Sequence, residues 1–133
     1  MREILFKAKI KNWRELPKEK QWVEGYLMDE NYINTPFNDY DAHGRFDDPI
    51  EIDPDTICQY TGLVDKNDKK IWKNDIVRWR FRRPWKEEYH VSKVLWDDFY
   101  SGWKLTVPGG MAKMRKDIEY EVIGNIFDNL EVE

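Results

Sequence analysis

Residues 59–79 constrain the fold of this chain more than any other stretch, because polar reversals there separate short apolar segments. The first reversal, at residues 65–70, contains Asp65, Asn67 and Asp68. The short polar side chains of Asp and Asn hydrogen-bond nearby backbone groups and tolerate positive φ, as a tight turn requires. We therefore predict a β-hairpin whose turn lies at residues 65–70.

A second polar corner follows at residues 73–75. Asn74 can adopt the left-handed conformation, and the Asp75 carboxylate can accept hydrogen bonds from backbone amides near the corner. The corner leads into an alternating apolar segment that begins at Ile76. Both reversals are typical of turns between strands, and neither carries a set of catalytic residues.

Strands are predicted along most of the remaining chain from apolar alternation and from the turn residues that bound it. The predicted strands are residues 4–10, 22–28, 57–60, 76–82, 89–96, 103–107 and 118–127. The first two would pair as an N-terminal hairpin, and glycines at 25 and 124 favour a bulge or bend. Short strands joined by turns favour a meander curled into a small barrel.

Three local features add to the predicted series of alternating strands. In the first strand, alternation puts Lys7 and Lys9 on the polar side. Residues 31–54 contain prolines, paired acids and several aromatic residues, which predicts a long ordered but irregular excursion. After a break at Gly109 and Gly110, residues 111–117 are predicted to form a short helical turn.

Composition limits the class of protein. Aromatic residues make up 15% of the chain, which favours sheet surfaces and protein interfaces. The net charge of -4 argues against indiscriminate phosphate binding. Cys58 is the single cysteine, which fits a reducing cytoplasm, and no apolar run is long enough to span a membrane.

Charge is divided between two segments. Residues 24–57 hold ten acidic residues and the single base Arg45, whereas residues 65–93 hold ten basic residues and five acids. The two segments could neutralise each other, either within one chain or between chains.

A row of arginines is the sharpest local feature. Arg78, Arg80 and Arg82 share one face of a predicted strand, because side chains two residues apart in a strand point the same way. The candidate interaction surface is Arg78, Arg80, Arg82, Arg83, Trp85 and Lys86. It could bind nucleic-acid phosphates while a tryptophan stacks on a base. Alternatively, the arginines pair with acids on neighbouring strands, such as those at 87–88 and 97–98, or with the acidic segment.

Other polar groups do not indicate catalysis or a cofactor. The adjacent pairs at 47–48 and 97–98 would point to opposite strand faces and are better explained by solvated loops, and the acids at 53 and 55 by a turn. The two histidines and Cys58 lack the spacing of a zinc site. Gly109 and Gly110 lack the context of a phosphate loop. We expect no catalytic, metal-binding or cofactor-binding residue.

Motifs along almost the whole chain resemble the YopX family of phage and prophage proteins. The central motif is Gln59-Tyr60-Thr61-Gly62-Leu63, Asp65-Lys66-Asn67, Ile71 and Asp75-Ile76-Val77. Further segments that resemble the family are Met1 to Ile4, Trp22 to Leu27 and Glu121 to Asn129. Asp68 and Asn74 stand where the family commonly has glycine, and residues 34–48 and 78–86 fit the family pattern poorly.

The resemblance implies a mobile-element origin in a bacterial cell, a tendency to self-associate and no known reaction. It also implies a mainly β, β-rich α+β fold. We predict an N-terminal hairpin and acidic excursion over residues 1–58 and a small SH3-like, YopX-type barrel over residues 59–133. The expected function is non-enzymatic, through protein–protein binding and assembly into a homo-oligomer in the cytoplasm. The alternative is nucleic-acid binding by the basic strand at 78–86. No membrane or small-molecule partner is expected.

Overall fold

The computed structural model describes residues 5–34, 49–83 and 86–128, excluding the side chains of residues 81–88. Strands dominate these residues, and the helices among them are short 3₁₀ turns at Trp13–Glu15, Lys18–Lys20 and Pro54–Thr56. The predicted mainly β class is therefore confirmed. The chain divides into two compact units, Met1–Tyr60 and Thr61–Glu133.

The first unit is built on an antiparallel sheet. Its strands are β1 (Phe6–Lys9), β2 (Trp22–Asp29), β3 (Tyr32–Asn34), β4 (Ile50–Glu51) and the start of β5 (Cys58–Val64). They are arranged in the order β4-β3-β2-β1-β5. β1 and β2 form the predicted N-terminal hairpin, in which Gly25 pairs regularly with Phe6. The irregularity of β2 lies nearer its end, between Leu27 and Asp29.

The excursion at residues 31–54 is more regular at its ends than the sequence predicts. β3 and β4 pair with each other, with Ile33 opposite Ile50. The predicted turn at Asp53 is confirmed, because its carboxylate accepts a hydrogen bond from the Asp55 amide at 3.1 Å. The middle of the excursion, residues 35–48, lies outside the described residues.

Lys9 corrects a prediction about the first strand. It is 1% exposed, whereas alternation placed it on the polar side with Lys7. Its ammonium donates to Gln21 Oε1 at 2.9 Å and lies 3.8 Å from the centroid of the Trp13 ring. Both partners come from the connection between β1 and β2, so the alternation of β1 alone could not reveal this environment.

The second unit is a meander with a returning strand. Besides the end of β5, its strands are β6 (Lys70–Trp72), β7 (Asp75–Arg83), β8 (Lys86–Asp97), β9 (Gly102–Val107), β10 (Gly110–Lys113) and β11 (Tyr120–Asn125). β5 pairs with β6, and the others follow the order β10-β9-β8-β7-β11. The predicted irregularity near Gly124 is present, since the β11–β7 register shifts between Val122 and Gly124. Within the described strands, this order leaves β10 and β11 at opposite edges of the sheet.

One face of this five-stranded sheet covers the core of the second unit. The core residues are Ile71, Val77, Trp79, Val94, Trp103, Leu105, Met114 and Tyr120. Trp96 packs against them, with its ring centroid 4.9 Å from that of Trp103. Trp72, Trp79 and Trp103 are buried.

Both turns of residues 59–79 form as predicted. Asp68 has φ 64° in the turn between β5 and β6, and Asn74 has φ 71° before β7. The Asp75 carboxylate accepts a hydrogen bond from the Trp72 amide at 2.8 Å and closes the second corner.

The predicted helical turn at residues 111–117 is wrong. Gly109, with φ 83°, lets the chain reverse, and β10 then pairs with β9, with Met111 opposite Thr106. A stretch this short has little intrinsic helical stability, so strand pairing decides its conformation.

Candidate binding cleft

An open cleft of about 880 Å³ lies in the second unit. Its charged and aromatic lining consists of the cations Lys66, Arg78, Arg80 and Arg115, the acids Asp117, Glu119 and Glu121, and the rings of Trp79, Tyr89 and Tyr120. We call this surface the charged cleft. It brings Arg78 and Arg80 of the arginine row together with groups that are distant in sequence.

Strand pairing places the central groups of the cleft. Arg78 and Arg80 are two residues apart in β7 and therefore share a face. Glu121 of β11 lies opposite Arg78, and Tyr89 of β8 lies opposite Arg80. Directly opposed residues in antiparallel strands have neighbouring side chains, so each arginine meets a specific partner.

Asp65 positions the Lys66 side of the cleft. Asp65 is 5% exposed, and its carboxylate accepts hydrogen bonds from the amides of Asn67, Lys69 and Val122 at 2.8, 2.9 and 3.0 Å. Burial alone would raise its pKa, but these amides and the nearby Lys69 charge outweigh burial and lower the pKa of Asp65 below 3.8. The next residue, Lys66, donates its amide to the Tyr120 carbonyl at 2.8 Å.

Arg78 is neutralised within the cleft. Its guanidinium forms a hydrogen-bonded ion pair with the Glu121 carboxylate. The Lys66 ammonium approaches the other oxygen of the same carboxylate at 3.6 Å. The Arg78 side chain is 50% exposed, so solvent screens this pair and its contribution to stability is small. The pair nevertheless reduces the charge that Arg78 can offer to another anion.

Arg80 and Tyr89 form a joint surface. The Arg80 guanidinium lies 4.9 Å from the centroid of the Tyr89 ring, and its Nη2 donates to the Tyr89 hydroxyl. This is the geometry of a cation–π contact. Tyr89 is still 61% exposed, so part of the ring can accept a further contact.

Arg115 and Asp117, which precede β11, and Tyr120, which begins it, form another part of the cleft lining. Arg115 binds Asp117 with two hydrogen bonds of 2.9 and 2.8 Å. The Arg115 amide donates to the buried Tyr120 hydroxyl at 2.9 Å. Burial raises the pKa of Tyr120 above 10.0, assisted by the Asp117 charge and opposed by the Arg115 amide. The phenol therefore stays protonated at neutral pH.

The predicted interaction surface is only partly described. Arg78 and Arg80 lie in the charged cleft, whereas the backbones of Arg82 and Arg83 continue β7 and Lys86 begins β8. The side chains of these last three residues, and all of Trp85, lie outside the described part of the chain. Tyr89, Lys66 and Arg115 could not be recognised as cleft residues from the sequence. The β7–β8 pairing brings Tyr89 to Arg80, and backbone-amide hydrogen bonds to Tyr120 hold Lys66 and Arg115 beside β11.

The remaining candidates lie elsewhere. Asp97 ends β8 and pairs with Lys104 at 2.9 Å. Cys58 is buried in the first unit, where its thiol donates to the Thr56 carbonyl at 3.3 Å. His90 belongs to the second unit, with its ring 4.9 Å from that of Trp79. The described residues contain no group of three or more histidine, cysteine or acidic side chains that could hold a metal ion.

The fold and cleft define a class of small, mainly antiparallel β proteins with an open cleft of paired charges. The family model described as YopX protein matches residues 9–132, and the chain belongs to this family. A comparison with curated proteins found no match.

No helix in the described ranges has the length and hydropathy needed to cross a membrane.

Proposed function

We propose that this YopX protein is a non-enzymatic accessory protein of phage or prophage origin that acts in the bacterial cytoplasm by protein–protein binding and self-assembly. One observation carries the proposal: cations of the charged cleft pair with acids on two sides, and an exposed aromatic ring lies beside Arg80. Arg78 pairs with Glu121, Arg115 pairs with Asp117, and Tyr89 is 61% exposed. Paired cations offer little net charge to a polyanion, whereas arginine and tyrosine are enriched in protein interfaces.

Exposed apolar side chains on the same sheet support this proposal. Val91 follows Tyr89 on one face of β8 and is 51% exposed, and Ile123 of β11 is also exposed. Val91 lies opposite Arg78 of β7, whose other neighbour is Glu121 of β11. Tyr89 and Val91 therefore border the paired charges, and such a mixed surface suits a second protein chain better than solvent.

The solution mass tests this proposal. We expect size exclusion with light scattering on nucleic-acid-free protein to give a multiple of 16.2 kDa. The double variant Tyr89→Ser, Val91→Ser should shift the mass toward the monomer. Met28→Ser is the matched control, because Met28 is 58% exposed but belongs to the first unit. A wild-type monomer at both low and high salt would overturn self-assembly.

Nucleic-acid binding is the second candidate function. The specific observation in its favour is that Lys66 and Arg115 join Arg78 and Arg80 around one cleft. Tyr89 would stack on a base, and the basic residues of the segment 78–86 would extend the phosphate contacts.

A titration of labelled single-stranded DNA by anisotropy separates this candidate from the first. Phosphate contacts predict an affinity that falls steeply with salt and weakens on Arg80→Ala. Lys113→Ala, an exposed cation in β10, serves as the control. Absent or salt-insensitive binding would exclude the candidate.

A further inference from the structure

The turn between β8 and β9 presents an aromatic pair to solvent. Phe99 is 85% exposed and Tyr100 is 68% exposed, and their ring centroids lie 4.7 Å apart in an edge-to-face arrangement. We call Asp97, Asp98, Phe99 and Tyr100 the aromatic tip. Large exposed aromatic side chains on a folded hairpin are typical of binding anchors, since each can bury about 150–250 Å².

The aromatic tip is held in place by its own hairpin. Asp97 Oδ1 accepts hydrogen bonds from the amides of Phe99 and Tyr100 at 2.9 and 3.4 Å. The Lys104 ammonium binds the other oxygen of Asp97 at 2.9 Å and lies 3.9 Å from the centroid of the Tyr100 ring. A tip ordered in this way loses little conformational freedom on binding, which favours its use as an anchor.

The aromatic tip cannot reach the charged cleft of its own molecule. Tyr89 in the cleft and Asp97 in the tip belong to the same continuous strand, β8, eight positions apart. At about 3.3 Å per residue, a strand separates them by roughly 26 Å. Any tip that enters the cleft must therefore come from another molecule.

The chemistry of the two surfaces is complementary. The charged lining of the cleft has four cations and three acids, so its formal charge is positive by one. In the tip, Lys104 neutralises Asp97, which leaves the formal negative charge of Asp98. The exposed ring of Tyr89 can receive Phe99 or Tyr100 as an aromatic neighbour. The cleft volume of about 880 Å³ is in the range that holds a ligand larger than two rings.

We propose that the aromatic tip of one copy docks into the charged cleft of a second copy. This inference rests on the proposed self-assembly and names the surfaces that carry it. Because the tip and the cleft are different patches on one chain, the contact is head-to-tail. Such contacts close into a ring when the rotation between copies permits and otherwise extend as a filament.

Two variants that damage opposite sides of this contact test the inference. Phe99→Ala, Tyr100→Ala removes the tip, and Arg80→Glu reverses a charge in the cleft. Each variant alone should have the monomer mass of 16.2 kDa. In an equimolar mixture, the intact tip of the Arg80→Glu chain should dock into the intact cleft of the Phe99→Ala, Tyr100→Ala chain. The mixture should therefore form a heterodimer of twice 16.2 kDa and nothing larger. Met111→Ala, exposed on neighbouring β10, should leave the wild-type mass unchanged.

The outcomes separate this inference from the proposed function. A wild-type monomer at every salt concentration would overturn both. Wild-type assembly that survives in both variants would overturn tip docking and leave self-assembly through another surface. Monomeric variants that fail to combine in the mixture would also overturn tip–cleft pairing. Far-ultraviolet circular dichroism and thermal unfolding of each variant confirm that it is folded before its mass is interpreted.

Discussion

At the scale of single residues, the Asp65 carboxylate links the turn after β5 to β11. Asp65→Asn replaces one acceptor oxygen with a donor, so at least one of the three amides that it binds loses its partner. An unsatisfied buried donor costs about 1–3 kcal/mol. We expect urea unfolding to show a loss of this size. Asp68→Asn removes the same charge at an exposed position of the turn and should change stability by less than about 0.5 kcal/mol. Equal losses in both variants would contradict this account.

The same carboxylate makes stability depend on acidic pH. The pKa of Asp65 in the folded protein lies below 3.8, its ordinary value. Between this folded pKa and pH 3.8, the unfolded chain therefore binds more protons than the folded protein. The contribution of Asp65 to the free energy of unfolding is present above pH 3.8 and is lost as pH falls through the folded pKa. We expect the unfolding free energy of the wild type to fall more steeply below pH 3.8 than that of Asp65→Asn. Parallel pH profiles would show that other groups control acid unfolding.

At the scale of secondary-structure elements, the β8–β9 hairpin depends on Asp97. Its hydrogen bond with Lys104, together with the amides of Phe99 and Tyr100, lowers the pKa of Asp97 below 3.8. Lys104→Met should raise the pKa of Asp97 and speed hydrogen exchange of the Phe99 and Tyr100 amides. Carboxyl and amide resonances followed by nuclear magnetic resonance across acidic pH would measure both effects. Lys113→Met provides the control on neighbouring β10, and an unchanged pKa of Asp97 in Lys104→Met would refute the assignment.

Most elements were predictable from local sequence because their limits have local causes. Asp68 and Asn74 hold the positive φ that their turns require, and Gly124 marks a real register shift. The strand β10 was missed because residues 110–113 are too short for periodicity to decide between helix and strand. The burial of Lys9 was missed because its partners come from outside β1.

The candidate site was less predictable than the strands that carry it. The shared face of Arg78 and Arg80 follows from strand alternation and could be read from sequence. Their partners Glu121 and Tyr89 depend on which strands lie beside β7. The interpretation that acids on neighbouring strands pair with the arginines holds for Arg78, whose partner is Glu121 of β11. Register between strands is a tertiary property, so a single sequence leaves such pairs open.

At the scale of the whole molecule, self-assembly should make thermal stability depend on protein concentration. Association that favours folded chains raises the melting temperature as concentration rises. We expect the wild type to show this increase in differential scanning calorimetry. The tip variant Phe99→Ala, Tyr100→Ala should melt at a temperature that does not change with concentration. A concentration-independent wild type would contradict assembly of the folded protein.

The return of β11 to β7 also bears on how the second unit folds. β7, β8, β9 and β10 pair with their neighbours in the chain, whereas β11 must cross past β8, β9 and β10 to reach β7. Contacts between distant segments cost more loop-closure entropy and therefore tend to form late. Until β11 docks, the backbone amides and carbonyls along one edge of β7 lack the strand to which they hydrogen-bond in the folded protein. An open strand edge can pair with the equivalent strand of another chain. The rate at which β11 docks would then set how long a newly made chain is exposed to strand exchange.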